Sequence, residues 1–573
     1  MRPEIRSSTD VLVIGAGLAG IMAAIEACDS GRKVTIISKG PFGRDGAATW
    51  MAGWGFQAAL YRPDSPEQHA ADMLRVGHYL NNQKLVLNLT NEVVNVFHKL
   101  AKWGVHYKKI NGKYDQIRGW GQTYGRNPLL MRPGTAAGFE YRRVLPHQIK
   151  KRPIEVVSDV MIIDLLINNG RAVGALGLNI VTGDLLTFEA KASIIATGGF
   201  MGLYKFSTTS PSLSGDGVAM SFRAGATLRD IEFADFYSST PVWPSVIAGE
   251  VDWATMLRFD LTGILYNNRG VEFIRYHKDR KKLAQPILLQ QEIAAGRCSP
   301  HKGLYLSFRH LPENIIQDYY NSVGSQKWLD TIIESGVDIK KDAMEVAPAP
   351  LESIGGVNID EDCITDIPGL FVAGEASGGS EGAYTLAGNP IAIDFAMGAL
   401  AGKTAARYAS ESSRVPSASD SAIQKITDRV VPMREIRNGS GPTPVEVKAR
   451  VQEILDAYLH LLDRNEDNLN QAIEEIKGLR KDVGYLHLKH RGQVFNKEWV
   501  EGIECLNAID VLDMLAWSAL TRKESRGLHY REDFPDLDND NWLKVINLRK
   551  QGDEIYLSLE DIDFHFMKPE GNK

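Results

Sequence analysis

The sequence predicts an α/β fold: a parallel sheet interrupted by a mixed α+β insert and followed by a helical domain. Three observations carry this. Residues 11–37 read as strand, glycine turn, helix and strand. Apolar runs that end in small residues and glycine recur at 193–199 and, after a segment of different character, at 369–375. Beyond Arg407 the apolar residues take up helical spacing.

Val11, Leu12, Val13 and Ile14 form a short apolar run, as in a strand buried on both faces of a parallel sheet. Gly15, Ala16, Gly17 and Gly20 lead into a helix that Gly31 closes, and residues 34–37 form the second strand. This β–turn–α–β has the length of a Rossmann-like unit. Residues 64–104 are helical in pattern. Residues 154–188 are β-rich, with turns at 168–170 and 182–183 that suit antiparallel strands. Serines and a proline between 410 and 420 mark a linker. Thr443, Pro444 and Glu446 have the order of a helix start, and Val447, Val451, Leu455, Tyr458 and Leu462 continue it. A second helix covers about 501–522, and the tail from Ser525 is charged and aperiodic. The division is then 1–232 and 355–408 for the two parts of the nucleotide-binding domain, 233–354 for the insert, 409–430 for a linker, and 431–573 for the helical domain and tail.

The 573 residues include 65 basic and 71 acidic side chains, a net charge of -6 that argues against a nucleic-acid binder. The four cysteines are scattered, with no C-x-x-C pair, so neither a disulfide scaffold nor a metal cluster held by this chain alone is expected. His487 and His490 are the one histidine pair with ligand-like spacing, and no metal site is assigned to them. No apolar run reaches the roughly 20 residues of a membrane span, and no secretory signal precedes the first strand, so a cytoplasmic enzyme is expected.

Gly15 permits a tight turn, Gly17 lets the backbone approach a pyrophosphate, and Gly20 allows close packing of helix on strand. The acid that would bind ribose in an NAD site is replaced by Ser38 and Lys39, which leaves FAD open. Ala196, Thr197 and Gly198 end one later strand, Asp216 stands between glycines ahead of a helix, and Gly374 with Glu375 ends another strand. Each can serve a nucleotide or its sugar hydroxyls.

With these residues in place, the chain resembles the flavoprotein subunits of succinate dehydrogenase and fumarate reductase, a family that includes L-aspartate oxidase and the flavoprotein of adenylylsulfate reductase. Ser38-Lys39, Thr208-Thr209, the Gly215-Asp216-Gly217 turn, residues 230–233 and 269–276, and above all 524–533 and 541–544 carry the resemblance. It implies a Rossmann-like FAD-binding domain, an inserted α+β capping domain and a C-terminal helical domain. It also implies that Gly46, Ala47, Ala48, Thr49 and Gly53 lie along the flavin, near Trp50, Met51 and Trp54, and that Asn389, Pro390 and Ile391 join them. Ala47 occupies the place of the family's flavin-linking histidine, so FAD is expected to be held without a covalent bond. The 524–533 motif is typical of members that dock an iron–sulfur subunit, so a small ferredoxin-like partner and a hetero-oligomer are expected.

The family's dicarboxylate site is altered. Tyr237, Leu261, Pro286, Leu351 and Thr385 stand where it carries histidine, glutamate, arginine, histidine and arginine. Two arginines are what a site needs to clamp two carboxylates. The substrate expected here is therefore a largely apolar organic molecule, with Tyr237 the first candidate for proton transfer and Tyr384, Thr385 and Asp235 the others. Arg258 and Arg275 are further sources of charge. The expected reaction is FAD-dependent dehydrogenation or double-bond reduction. The alternatives are a flavoprotein like that of adenylylsulfate reductase, acting on a sulfur compound, and a flavin electron-transfer protein without catalysis.

Overall fold

A computed structural model describes residues 4–44, 46–48, 56–131, 137–250, 263–274, 285–322, 326–434, 441–552 and 554–569. The first unit is β1 (Glu4–Ile14), α1 (Leu18–Asp29) and β2 (Val34–Ile37). Two helices, α2 (Pro66–Val76) and α3 (Gln83–Trp103), follow, and then α4 (Ala137–Lys150). The sheet continues with β3 (Ile154–Val157), β4 (Val160–Asn168), β5 (Arg171–Asn179) and β6 (Leu185–Ile195). After it come α5 (Asp216–Arg223) and the short β7 (Leu228–Arg229).

The main sheet has seven strands in the order β3–β2–β1–β6–β5–β4, with β13 (Leu370–Val372) beside the end of β6. β4 pairs antiparallel with β5, and β5 with the first half of β6, as the turns at Asn169–Gly170 and Thr182–Gly183 anticipate. The second half of β6 pairs parallel with β13. Ile154–Val157 departs from the antiparallel expectation and runs parallel to β2. The register Ile14↔Ile195 and Ile195↔Val372 brings three strand ends level. Gly15, Ala196 and Ala373 therefore emerge side by side. Backbone hydrogen bonds lock them there: Gly15 N–H to Ile37 O (2.9 Å), Ala196 N–H to Ile14 O (2.8 Å) and Ala373 N–H to Ile195 O (2.9 Å).

The insert is a four-stranded antiparallel sheet of β8 (Ala234–Trp243), β9 (Ile264–Tyr266), β10 (Leu304–Ser307) and β11 (Met344–Ser353), in the order β8–β11–β10–β9. With α6 (Gln285–Ala294), α7 (Glu313–Ser322) and α8 (Gln326–Glu334) it encloses its own apolar core around Leu289, Leu306, Tyr320 and Ile332. The chain re-enters the main domain through β12 (Gly356–Val357) and β13, and α9 (Asn389–Ser410) packs along α1.

Residues 409–430 are not a linker throughout. After a short link, α10 (Asp420–Val430) forms, with the Ser419 hydroxyl accepting the Ala422 N–H at 3.2 Å. The serines that read as a linker include this helix cap, and Ile426 and Val430 are buried below it. The helical domain contains α11 (Pro444–Tyr458), opened by the Thr443–Glu446 capping box, α12 (Glu466–Val483) and α13 (Lys497–Thr521). The tail is a second departure. It folds into the hairpin β14 (Lys544–Gln551) and β15 (Glu554–Asp561), and β14 pairs with β7 of the main domain. The strand signal there is a few buried residues (Val545, Ile546, Leu548) among many charges, which hides it from periodicity.

Candidate active site

At the level strand ends the chain forms a cleft. Gly15, Ala16, Gly17, Ser38, Lys39, Gly46, Ala47, Ala48, Ala196, Thr197, Gly198, Asp216, Gly374 and Glu375 line it. Gly20 lies behind the wall, where any Cβ would overlap the Gly15 carbonyl. Thr49 and Gly53 are outside the described residues, as are Trp50, Met51, Trp54, Arg258, Leu261 and Arg275. Asn389 is set apart from the cleft lining. It is buried at the start of α9, accepting from His69 (Nε2 to Oδ1, 2.9 Å) and donating to Glu381 (2.9 Å), while Pro390 and Ile391 are half-buried beside it.

The cleft fits FAD on three observations. Gly17 has ordinary extended backbone angles, and a Cβ on it would meet no described atom within 4 Å, so the wall is open at the point where a pyrophosphate would approach. Gly17 caps α1 with no side-chain hydrogen bond and no acid in the first turn, so the positive end of the helix faces the cleft. The buried Thr197 hydroxyl has no partner among the described residues. Lys39 pairs with Asp216 (2.9 Å) and with Glu504 of α13, so the helical domain closes one end of the cleft. Burial lowers the Lys39 pKa, but the two carboxylates outweigh it and hold the pKa above that of an ordinary lysine. At the other end Glu375 accepts the Ser353 N–H (3.0 Å) and hydroxyl (3.2 Å), tying the cleft to β11 of the insert.

The candidate catalytic residues fall into two groups. Asp235 and Thr385 are brought together through Glu381, which receives a hydrogen bond from Thr385 and feels the Asp235 charge. Asp235 also stands opposite Glu352 in the β8–β11 register, next to a bulge. Tyr237, two residues along β8, is 9% exposed and faces Ala349 across the strands. Tyr384 turns toward Trp120, ring edge to face with centroids 5.5 Å apart.

Sequence reasoning missed three acids here, Glu352, Glu381 and Asp394. Burial pushes Glu381 up to about 7, opposing the hydrogen bonds from Asn389 and Thr385. Burial, with the charges of Asp235, Glu381, Glu375 and Asp394, raises Glu352 well above the usual carboxylate range. Its Oε1 is buried with no partner among the described residues. The one available signal was Glu381, an acid in a glycine-rich turn four residues before Thr385. Among the described residues no group of His, Cys, Asp or Glu is arranged to hold a metal ion, and no helix is long and apolar enough to cross a membrane.

The basic and acidic side chains at the centre of the 524–533 motif are interior, while Glu532 and Asp533 are exposed. Arg522, Glu524, Arg526, His529 and Arg531 are all buried. Arg522 bonds Glu232 (2.6 Å) and Glu524 (3.0 Å), Arg526 bonds Glu524 (2.7 Å), and Arg464 reaches both the Glu232 carbonyl (2.8 Å) and His529 (2.9 Å). The motif therefore joins the helical domain and tail to the hinge of the insert.

The family described as FAD binding domain matches residues 10–391, and that described as fumarate reductase flavoprotein C-term matches residues 448–573. Fold and cleft thus define an FAD-dependent oxidoreductase. A subunit of the fumarate reductase (CoM/CoB) of Methanothermobacter marburgensis is 34% identical over 552 residues, 95% of this chain and 97% of that protein. Sdh1 of Mycobacterium smegmatis, solved in complex with UQ1, superposes with a TM-score of 0.88 at 30% identity, covering 98% of this chain and 96% of that one. Adenylylsulfate reductase from Archaeoglobus fulgidus shares the fold, with a TM-score of 0.78 at 20% identity over 99% of each chain. The chain belongs to the succinate dehydrogenase and fumarate reductase flavoprotein family.

Proposed function

We propose that this protein holds FAD without a covalent bond and exchanges a hydride with a largely apolar organic substrate that is not a dicarboxylate, forming or reducing a C–C double bond. One observation carries the reading. At the positions where the family carries its cations and histidines the sequence has Tyr237, Pro286, Leu351 and Thr385, and among the described residues Asp235 stands opposite Glu352 and acts on Glu381, so the charges that support the reading are carboxyls. Such a site repels two carboxylates and favours a neutral molecule bound through apolar contact, worth roughly 25 cal/mol per Å² buried. The relative from Methanothermobacter marburgensis is named a fumarate reductase, so fumarate is the compound to test against.

FAD supplies the redox chemistry when bound. The chain's own part is to orient and to manage the proton. The Tyr237 and Thr385 hydroxyls orient the substrate, and Glu381 has the pKa to hold or release a proton near neutrality. The relative from Methanothermobacter marburgensis is a subunit by name, and we read this chain as the flavin-bearing subunit of a cytoplasmic hetero-oligomer with a small iron–sulfur partner. The four scattered cysteines are consistent with a cluster held elsewhere.

Anaerobic stopped-flow mixing of the holoenzyme with a panel of apolar, aromatic and dicarboxylate compounds tests the reading through flavin absorbance. Reduction by an apolar compound, or reoxidation of the reduced enzyme by its unsaturated counterpart, supports it. Succinate or fumarate turnover at rates above the rest of the panel overturns it. Tyr237→Phe should lower turnover by about 100-fold with FAD retained.

A further inference from the structure

The FAD cleft contains an acid to which no role has been given. Asp394 lies on α9, half-buried, and lines the cleft beside the glycines of the β13 turn. Its Oδ1 is so close to Gly374 that a Cβ there would stand 2.7 Å away, and its carboxyl accepts the Glu375 backbone N–H. One face of the carboxyl is thus fixed by the turn while the side chain borders the space the cofactor fills.

The groups around it are all acidic. Glu375 faces it from the turn after β13, Glu381 from the loop before α9, and Glu352 from β11 with Asp235 behind it on β8. On helix α1 the Ala19 methyl lies close to Gly374, and no described cation is among the groups acting on Asp394. Lys39, on the cleft wall, is held by Asp216 and Glu504. An ionised Asp394 would face these acids with no described cation to offset it.

We propose that Asp394 is a neutral carboxylic acid that donates a hydrogen bond to bound FAD, so that cofactor binding is coupled to one proton. Burial, reinforced by Glu375 and Glu381, already pushes the carboxyl up to about 8. Donating to the bound cofactor would raise it further. Below about pH 8 the acid is already protonated, and this group makes binding independent of pH. Above it each FAD bound takes up a proton, and affinity falls by up to about tenfold per pH unit.

The test is titration of flavin-stripped protein with FAD between pH 6.5 and 9.5, followed by flavin fluorescence, together with calorimetry at pH 8.5 in two buffers of different ionisation enthalpy. Wild type should bind with constant affinity to about pH 8, weaken beyond it, and take up close to one proton. Asp394→Asn copies the neutral acid. It should bind within about threefold of wild type at pH 7.5 and show neither the decline nor the uptake. Asp394→Ser replaces it if the asparagine variant does not fold. A flat wild-type profile overturns the proposal, as does a variant that keeps the wild-type decline and proton uptake, since the proton would then belong to Glu375 or Glu381.

Discussion

Two glycines two residues apart in the first turn should fail in opposite ways when enlarged. Gly17 has φ -73° and ψ -169°, angles that valine adopts readily, and a Cβ there meets no described atom within 4 Å. Gly17→Val should therefore cost about 1 kcal/mol of stability or less, chiefly the poorer helix cap. Its methyl groups stand in the path of the pyrophosphate and separate it from the α1 N–H groups. Losing two hydrogen bonds to a charged group, at about 1.5–3 kcal/mol each, amounts to about 3–6 kcal/mol, or a weakening of roughly 10²- to 10⁴-fold. Gly15 is the control. Its φ is +108° and a Cβ would overlap the Ala196 carbonyl, so Gly15→Ala should cost about 2–6 kcal/mol in strain and displaced packing. Flavin fluorescence titration and urea unfolding of the two apoproteins give the two numbers separately. Gly17→Val with a full complement of flavin, or with a stability loss equal to that of Gly15→Ala, would refute the assignment of this turn to the phosphates.

Acid precipitation of the holoenzyme should leave all the yellow colour in the supernatant, because Ala47 offers no nucleophile for a flavin bond; colour in the pellet counts against it. Arg522→Met leaves Glu232 buried and unpaired, and should destabilise by about 3–5 kcal/mol in urea unfolding at pH 8. Protonating Glu232 removes the unpaired charge, so this deficit should shrink as the pH falls toward 5; a deficit that grows on acidification would refute the role given to that pair. Thr443→Ala breaks the capping box of α11 and should cost about 1 kcal/mol by the same measurement, with flavin content unchanged.

What was legible in the sequence is what local chemistry decides. The glycines and the apolar strands that precede them announce themselves, and the cleft is where three such turns meet. What the sequence does not state is the register. Asp235 and Glu352 are 117 positions apart, and only the bulged pairing of β8 with β11 sets them opposite each other. The His69–Asn389–Glu381 chain likewise depends on α9 meeting α2. The serines before α10 are equally good linker and helix cap, and a buried Ile426 decides between them. The 524–533 motif was recognisable as a signature, yet the burial of Glu524, Arg526 and Arg531 was invisible: charged residues read as surface until their partners are known.

The distribution of charge then separates the two ends of the molecule. Arg464, Arg522, Arg526 and Arg531 are buried together with Glu232 and Glu524, where each charge has partners and the network joins the helical domain to the main one. Around the cleft and the insert strand the opposite holds: Asp235, Glu352, Glu375, Glu381 and Asp394 feel one another, and no described cation is among the groups acting on Glu352, Glu381 or Asp394. Carboxyls so arranged raise one another's pKa, since each added charge raises the cost of the next. Glu381, pushed up to about 7, and Asp394, pushed up to about 8, are the two placed to hold a proton near neutrality. A hydride reaction at a flavin needs a proton partner, and a site built on arginines takes it through a cation that also attracts a dianion. We propose that carboxyls with raised pKa values supply the proton here and disfavour a dianion, so that both follow from the same side chains.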